Sequence, residues 1–381
     1  MSLCKYAKKC GGCQLQNLEY DDQLGLKQSK VIRLVGSYCH VDEIIGMDEP
    51  FHYRNKVQSA FSFRNGKTFC GIYQSATNRV VPVDDCLLED KRATAIIKTV
   101  SSLVNSFKIK SYDLQAERGF FRHILVRIAQ KTGEIMVVLV TAKGEFPHKK
   151  NFTEALLSAH PEITTIVWNT NPYKTALMLG DRSETLFGNG YITDELCGLK
   201  FRISPRSFYQ VNPTQTEILY KKAFEFANLS GKERVIDAYC GTGTIGLTLA
   251  KGASEIIGVE VNEDSVRDAI FNAEANGIKN AKFINADAGE FMQTLAQKGE
   301  KIDVVVTDPP RAGCSIKFLK SLISLAPKRI VYVSCNPETL SRDLFTLRKG
   351  GYKVKKIQPV DMFPFTEHVE TVVLLTRVLN N

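Results

Sequence analysis

Arg234-Val-Ile-Asp-Ala-Tyr-Cys-Gly-Thr-Gly-Thr-Ile-Gly246 is the stretch that decides the fold. An apolar run closes on Asp237. Gly241, Gly243 and Gly246 then keep G-x-G-x-x-G spacing, so a strand turns tightly into a helix. A second strand, Glu255-Ile-Ile-Gly-Val-Glu260, follows. Further helices are expected over 263–276, 289–297, 316–325 and 337–348, alternating with strands over 281–285, 301–307 and 329–334. That alternation predicts an α/β fold with a doubly wound parallel sheet. A helix over 215–229 precedes it. The last two strands, 352–359 and 368–377, have no helix between them and are expected as an antiparallel pair at one edge.

Upstream the rhythm differs. From 52 to 202 short strands dominate, with helical periodicity only at 87–106 and 150–160. Asn65-Gly66 and Thr132-Gly133 separate strand-like runs and read as hairpin turns. This is an α+β pattern with an antiparallel sheet. Three segments result: an N-terminal cysteine-bearing segment over 1–50, an α+β domain over 51–205, and the doubly wound domain over 206–381.

The chain has 381 residues, 44% hydrophobic and 24% charged, the composition of a globular protein with real cores. No apolar run reaches membrane-spanning length, and the N-terminus lacks the apolar segment of a signal peptide, so a cytoplasmic monomer is expected. The net charge of +9 is spread over both halves, which suits a polyanionic partner without specifying one. Ten cysteines in such a chain are not expected to be disulfide staples.

The glycine-rich loop has two readings. A dinucleotide site would place pyrophosphate on it, as in a nicotinamide-dependent oxidoreductase. Asp237 argues against that, because a carboxylate there repels phosphate. Glu260, Asp287 and Asp308 close the neighbouring strands, and this acidic edge suits ribose hydroxyls, an adenine amine and a positive centre, as in S-adenosylmethionine. Cys335 sits where the strand over 329–334 meets a helix capped by Asn336 with Pro337 in its first turn. The helix dipole there is expected to lower the thiol pKa and ready a nucleophile. Methylating carbon 5 of a pyrimidine needs one: a thiolate adds to C6, C5 becomes nucleophilic, and a base then removes the C5 proton. Glu370, on the same sheet edge, is the candidate base. Cys314, three residues past Arg311, is read as packing.

Tyr53-Arg54-Asn-Lys, Ser207-Phe208-Tyr209-Gln210-Val-Asn, Asp237-Ala-Tyr-Cys-Gly-Thr-Gly, Asp308-Pro-Pro-Arg, Ser334-Cys-Asn-Pro and Met362-Phe-Pro-Phe-Thr-Glu-His-Val-Glu370 together resemble the RNA uracil-5 methyltransferases, across nearly the whole chain. The resemblance implies a class I methyltransferase fold with Cys335 as nucleophile and Glu370 as base. It implies Gln210, Tyr239, Gly241, Gly243, Thr244, Glu260, Asp287 and Asp308 around S-adenosylmethionine, and Arg54 and Phe208 against the target base. The position after Phe-Pro that is usually histidine in the family is Phe365 here and is assigned no role. Cys4, Cys10, Cys13 and Cys86 have metal-site spacing. Several members of the resembled family hold a 4Fe–4S cluster on this pattern, which implies one here. The expected partner is RNA, bound by the domain over 51–205: 23S rRNA first and transfer RNA as the alternative. A non-catalytic RNA-binding module is the remaining competitor.

Overall fold

The computed structural model describes residues 4–75, 77, 79–174 and 177–378. After a single turn, α1 (Ala7–Cys10), the chain forms α2 (Tyr20–Val35), a helix the sequence pattern did not reveal. Val31 and Val35 of α2 enter the core of the C-terminal domain, far along the chain.

The central domain begins with β1 (Lys56–Arg64), β2 (Lys67–Tyr73) and β3 (Val80–Val81), followed by α3 (Lys91–Ser106). Then come β4 (Phe121–Ile128), β5 (Ile135–Thr141), α4 (Lys149–Ala159), β6 (Thr165–Thr170) and β7 (Arg182–Phe187). The sheet order is β3-β2-β1-β4-β5-β6-β7. Asn65 (φ 53°) and Gly66 (φ 78°) are both left-handed, which gives the tight hairpin between β1 and β2. The all-antiparallel expectation needs correction: β5 and β6 run parallel, because α4 carries the chain back to the starting end of the sheet. Helices α3 and α4 cover one face, with Val57, Phe61, Ile124 and Val126 beneath them.

A two-stranded ribbon, β8 (Ile192–Leu196) and β9 (Leu199–Ile203), leads into α5 (Pro213–Ala227). The doubly wound part follows as β10 (Arg234–Ala238), α6 (Thr244–Leu249), β11 (Glu255–Glu260), α7 (Glu263–Ala275), β12 (Ala281–Asn285), α8 (Ala288–Gln297) and β13 (Val304–Thr307). It closes with α9 (Ile316–Leu325), β14 (Arg329–Ser334), α10 (Pro337–Lys349), β15 (Tyr352–Val360) and β16 (Glu370–Arg377). The sheet order is β12-β11-β10-β13-β14-β16-β15, parallel up to β14. The terminal antiparallel pair forms as expected, with β16 inserted between β14 and β15. One apolar cluster joins the two domains: Leu125, Val138 and Val167 of the central sheet pack with Phe201, Leu219, Val235 and Val306. Among the described residues no helix is long and apolar enough to cross a membrane.

Candidate active site

Parallel strands aim their carboxyl ends at one edge, and ligands bind there at the switch in strand order. Asp237, Glu260, Asp287 and Asp308 all fall on this edge, at the ends of β10, β11, β12 and β13. Asp237 is buried. Its Oδ2 accepts the Gly246 N–H at 2.7 Å, while its Oδ1 is buried without a hydrogen-bond partner. Glu260 holds the loop shut by accepting the N–H of Gly241 at 3.2 Å and of Asn262 at 2.9 Å. Asp287 caps α8, accepting the Glu290 N–H at 2.9 Å. Tyr239 adopts φ 63°, a costly conformation for a bulky residue, and its ring packs on Phe318 at 5.1 Å. Gly241 has open space where a Cβ would stand, whereas one at Gly243 would press on Phe283 at 3.0 Å. Thr244 bonds its hydroxyl to Tyr220 at 2.9 Å. The loop is therefore a rigid floor with an acidic rim.

Cys335 and Glu370 meet across the neighbouring ladder. The ladder ends where Ser334 pairs with Thr371, and Cys335 and Glu370 lie one residue beyond that pair, close enough for the Glu370 charge to act on the thiol. Asn336 caps α10 by accepting the Glu338 N–H at 3.1 Å, and Pro337 fills the first turn. The local prediction thus holds, but its electrostatic consequence does not. Burial, then the carboxylates of Glu370 and Asp308, push the Cys335 thiol up to about 12, and Arg311 opposes them only partly. Burial, with these charges added, outweighs the helix terminus. Burial and Asp308 likewise hold Glu370 well above the usual carboxylate range, and burial takes Asp308 to about 7. Three acidic groups share one pocket, so the empty site disfavours ionising all of them. A cavity of about 150 Å³ opens on Cys335, lined also by Arg311, Glu338 and His368. Cys314 lies elsewhere, 3% exposed, with its thiol against the Tyr332 hydroxyl at 3.4 Å.

The loop leading to Glu370 is held from three directions, which the sequence did not disclose. Lys27 of α2 donates to Asp361 Oδ1 at 2.6 Å and to the Phe363 carbonyl at 3.1 Å. Gln23 accepts the Phe365 N–H at 2.9 Å, and the Tyr53 hydroxyl donates to the Pro364 carbonyl at 3.1 Å. Asn212 and Gln215 of the α5 start donate to the carbonyls of Met362 and Asp361. Phe365 itself sits at φ 67°, and its ring packs with Tyr53, Leu88, Cys13 and Cys86.

The remaining expected residues divide. Gln210 is buried, and its carbonyl accepts from the Asn55 amide at 3.2 Å. Phe208 is 64% exposed, a ring open to solvent. Arg54 forms a bridge with Glu89 and has Cys10 and Cys13 as charge neighbours, so it lies on the cysteine side of the site. Cys4, Cys10, Cys13 and Cys86 converge there as well. Among the described residues, however, no three of them are set to hold a metal ion. Burial pushes the Cys13 and Cys86 thiols up to about 11 and 12. The 4Fe–4S cluster implied by resemblance is therefore not supported by this arrangement.

The sequence profile of the tRNA (Uracil-5-)-methyltransferase family matches residues 19–378. An uncharacterized RNA methyltransferase of Halalkalibacterium halodurans is 45% identical over 98% of this chain and 82% of that protein. One from Oceanobacillus iheyensis is 44% identical over the same shares. Among solved structures, the Pyrococcus abyssi tRNA (uracil-54, C5)-methyltransferase in complex with S-adenosyl-L-homocysteine superposes with a TM-score of 0.80. It is 31% identical and covers 96% of this chain and 86% of that one. With the doubly wound sheet, the acidic edge and the cysteine–glutamate pair, these likenesses establish that the chain belongs to the tRNA (uracil-5-)-methyltransferase family.

Proposed function

We propose that this RNA methyltransferase moves the methyl group of S-adenosylmethionine to C5 of one uridine through a covalent adduct with Cys335. The placing of Cys335 and Glu370 one residue beyond the Ser334–Thr371 pair of β14 and β16, with the Glu370 charge acting on the thiol, carries the reading. The edge of β10–β13 fits the methyl donor. The unpartnered Asp237 Oδ1 is an acceptor awaiting a donor, the space over Gly241 admits a ligand, and Glu260 and Asp287 suit hydroxyls. When bound, that cofactor supplies an electrophilic methyl on a cationic sulfur.

The protein's own residues perform the rest. Cys335 loses its proton to solvent and its sulfur bonds to C6, which moves an electron pair toward C5. C5 takes the methyl group. Glu370 then accepts the C5 proton, and the sulfur–C6 bond breaks to restore the ring and the thiolate. Asp308 would be one of the residues to hold a positively charged cofactor, and a cation held there would offset a carboxylate that disfavours the Cys335 thiolate. No step calls on the N-terminal cysteines.

The RNA proposed is 23S rRNA, on the sequence resemblance. Transfer RNA is the second reading, favoured by the likeness to the archaeal enzyme, whose own substrate is tRNA. Mapping 5-methyluridine in both RNAs from a deletion strain tests the function. One site must disappear, and its RNA class chooses between the readings. Cys335→Ala should abolish methylation and the covalent adduct with 5-fluorouridine RNA, while RNA affinity stays within about threefold. An adduct mapped to Cys314 would overturn the mechanism.

A further inference from the structure

We propose that the Arg342–Asp343 pair of α10 is a positioning device: it fixes the turn that carries Arg311, and through Arg311 it sets the reactivity of Cys335. This rests on the methyl-transfer reading above and names what prepares its nucleophile.

The segment Asp308-Pro-Pro-Arg-Ala-Gly-Cys314 lies between β13 and α9 without regular structure, so its backbone groups need partners from elsewhere. One bond is internal, from the Gly313 N–H to the Pro310 carbonyl at 2.8 Å. The bonds that anchor the turn come from the start of α10 and its next two turns. The Arg311 carbonyl accepts from the Asn336 amide at 3.2 Å and the Thr339 hydroxyl at 3.3 Å. Arg342 Nη2 donates to the carbonyls of Ala312 and Cys314 at 2.9 and 3.1 Å. Asp343 Oδ2 accepts the Cys314 N–H and the Tyr332 hydroxyl, each at 2.7 Å, and Oδ1 accepts from Arg342 Nε at 2.9 Å. Asp343 is fully buried. Gly313 is fitted to the pair: at φ 75°, an added Cβ would stand 2.6 Å from Arg342 Nη2 and 2.8 Å from Asp343 Oδ2.

None of these bonds touches a reacting atom, yet the turn delivers a charge that matters there. Arg311 lines the Cys335 cavity. It is the cation that opposes Glu370 and Asp308 at the thiol, and it opposes Asp308 at Glu370. Its Nη2 donates to the His368 ring at 2.6 Å. Burial, then the Arg311 charge, lowers the His368 pKa, so the ring stays neutral and can accept. Lys30 of α2, Glu338 of α10 and Glu367 of the loop before β16 are the other charged groups on this cavity. Helix α10 starts just behind Cys335 and carries Arg342 and Asp343 about two turns later. One rigid helix therefore places both the thiol and the cation that faces it. Asp343 suits this task because a carboxylate accepts on both sides at once. An amide there would turn its NH2 toward Arg342, or toward the Cys314 N–H and the Tyr332 hydroxyl.

The test follows alkylation of Cys335 by iodoacetamide in the full chain from pH 7 to 10, with the site located by peptide mass spectrometry. Asp343→Asn should slow it about tenfold across this range, equivalent to a shift of about one pH unit as Arg311 moves away. Two other effects have the opposite sign. Loss of a negative charge near the thiol would by itself speed alkylation, and so would a loosened structure, because burial is the main cause of the raised thiol pKa. Unchanged or faster alkylation therefore overturns the proposal. Arg311→Met should also slow alkylation, and combining it with Asp343→Asn should add nothing. If the two effects multiply instead, Asp343 does not act through Arg311 and the proposal fails. Gly313→Ala keeps both side chains of the pair but displaces the turn; it should reproduce the slowing, and it decides the matter if Asp343→Asn does not fold. Tyr352→Phe removes a buried hydroxyl bond to the Pro327 carbonyl at 2.9 Å, at the far end of the sheet, and should keep the wild-type profile. Slowing in that variant too would mean that general destabilisation is being read, which overturns the proposal. Single-turnover methylation of rRNA and tRNA from a deletion strain should fall in parallel with alkylation. Wild type that methylates neither RNA would refute the functional reading, while the alkylation rates still decide the positioning role.

Discussion

Lys27→Met asks how much the catalytic loop depends on one buried ion pair. The side chains of Lys27 and Asp361 are 1% and 0% exposed, at 2.6 Å. Removing the ammonium strands a carboxylate that water cannot reach. Its remaining partners are the Tyr20 hydroxyl at 3.0 Å and the Phe363 N–H at 3.2 Å. Breaking a buried pair costs about 3–5 kcal/mol, and those two donors place the expected loss at the lower end, about 3 kcal/mol. That is a change of roughly 100-fold in the folding equilibrium. In urea the midpoint should fall by up to about 1 M, since a chain of this size has a steep denaturant dependence. Adding Asp361→Asn removes the stranded charge and should recover more than half of the loss, because Tyr20 and Phe363 can still bond to an amide. The loop runs directly into Glu370, so kcat should also fall while S-adenosylhomocysteine affinity holds. A Lys27→Met loss below about 1 kcal/mol, or no recovery on adding Asp361→Asn, would refute the argument that the pair is dry and loop-forming.

Two further outcomes concern the chemistry. Glu370→Gln should still allow addition and methyl transfer but not elimination, so a methylated covalent protein–RNA complex should accumulate with ordinary uridine RNA; denaturing electrophoresis with methyl-labelled cofactor reads it, and slow turnover without a trapped band would show that Glu370 is not the base. The rate should rise with pH between about 6 and 9, because Cys335 and Glu370 act only when deprotonated and both are held above their ordinary ranges. Raised values mean that activity is lost on acidification nearer to neutrality than an ordinary carboxylate would cause, so single-turnover rates flat across that range would contradict the shared-charge pocket.

Local physics was legible in the chain by itself. The alternation from Arg234 onward reported the parallel sheet, because each buried strand and amphipathic helix carries its own periodicity. Asn65-Gly66 reported its hairpin, and Asn336-Pro337 reported the helix start behind Cys335, because turns and caps are written within a few residues. The motifs that brought Cys335 and Glu370 into one argument lie one residue beyond the Ser334–Thr371 pair, where the Glu370 charge reaches the thiol.

What only the tertiary structure decided depends on residues far apart in sequence. Helix α2 escaped notice because its buried stripe is Gln23, Lys27, Val31 and Val35, half of it polar. No apolar period betrays a lysine whose partner lies 334 residues away. The parallel pairing of β5 with β6 depends on which way α4 carries the chain. The four N-terminal cysteines have the spacing of a cluster, yet Cys13 and Cys86 are packed against Tyr53, Leu88 and Phe365 from separate segments. The Cys335 thiol moved opposite to expectation for the same reason. A helix terminus is local and visible in sequence, whereas burial beside Glu370 and Asp308 arises only when three strands align; loss of water around the thiolate weighs most there, and the two carboxylates add to it.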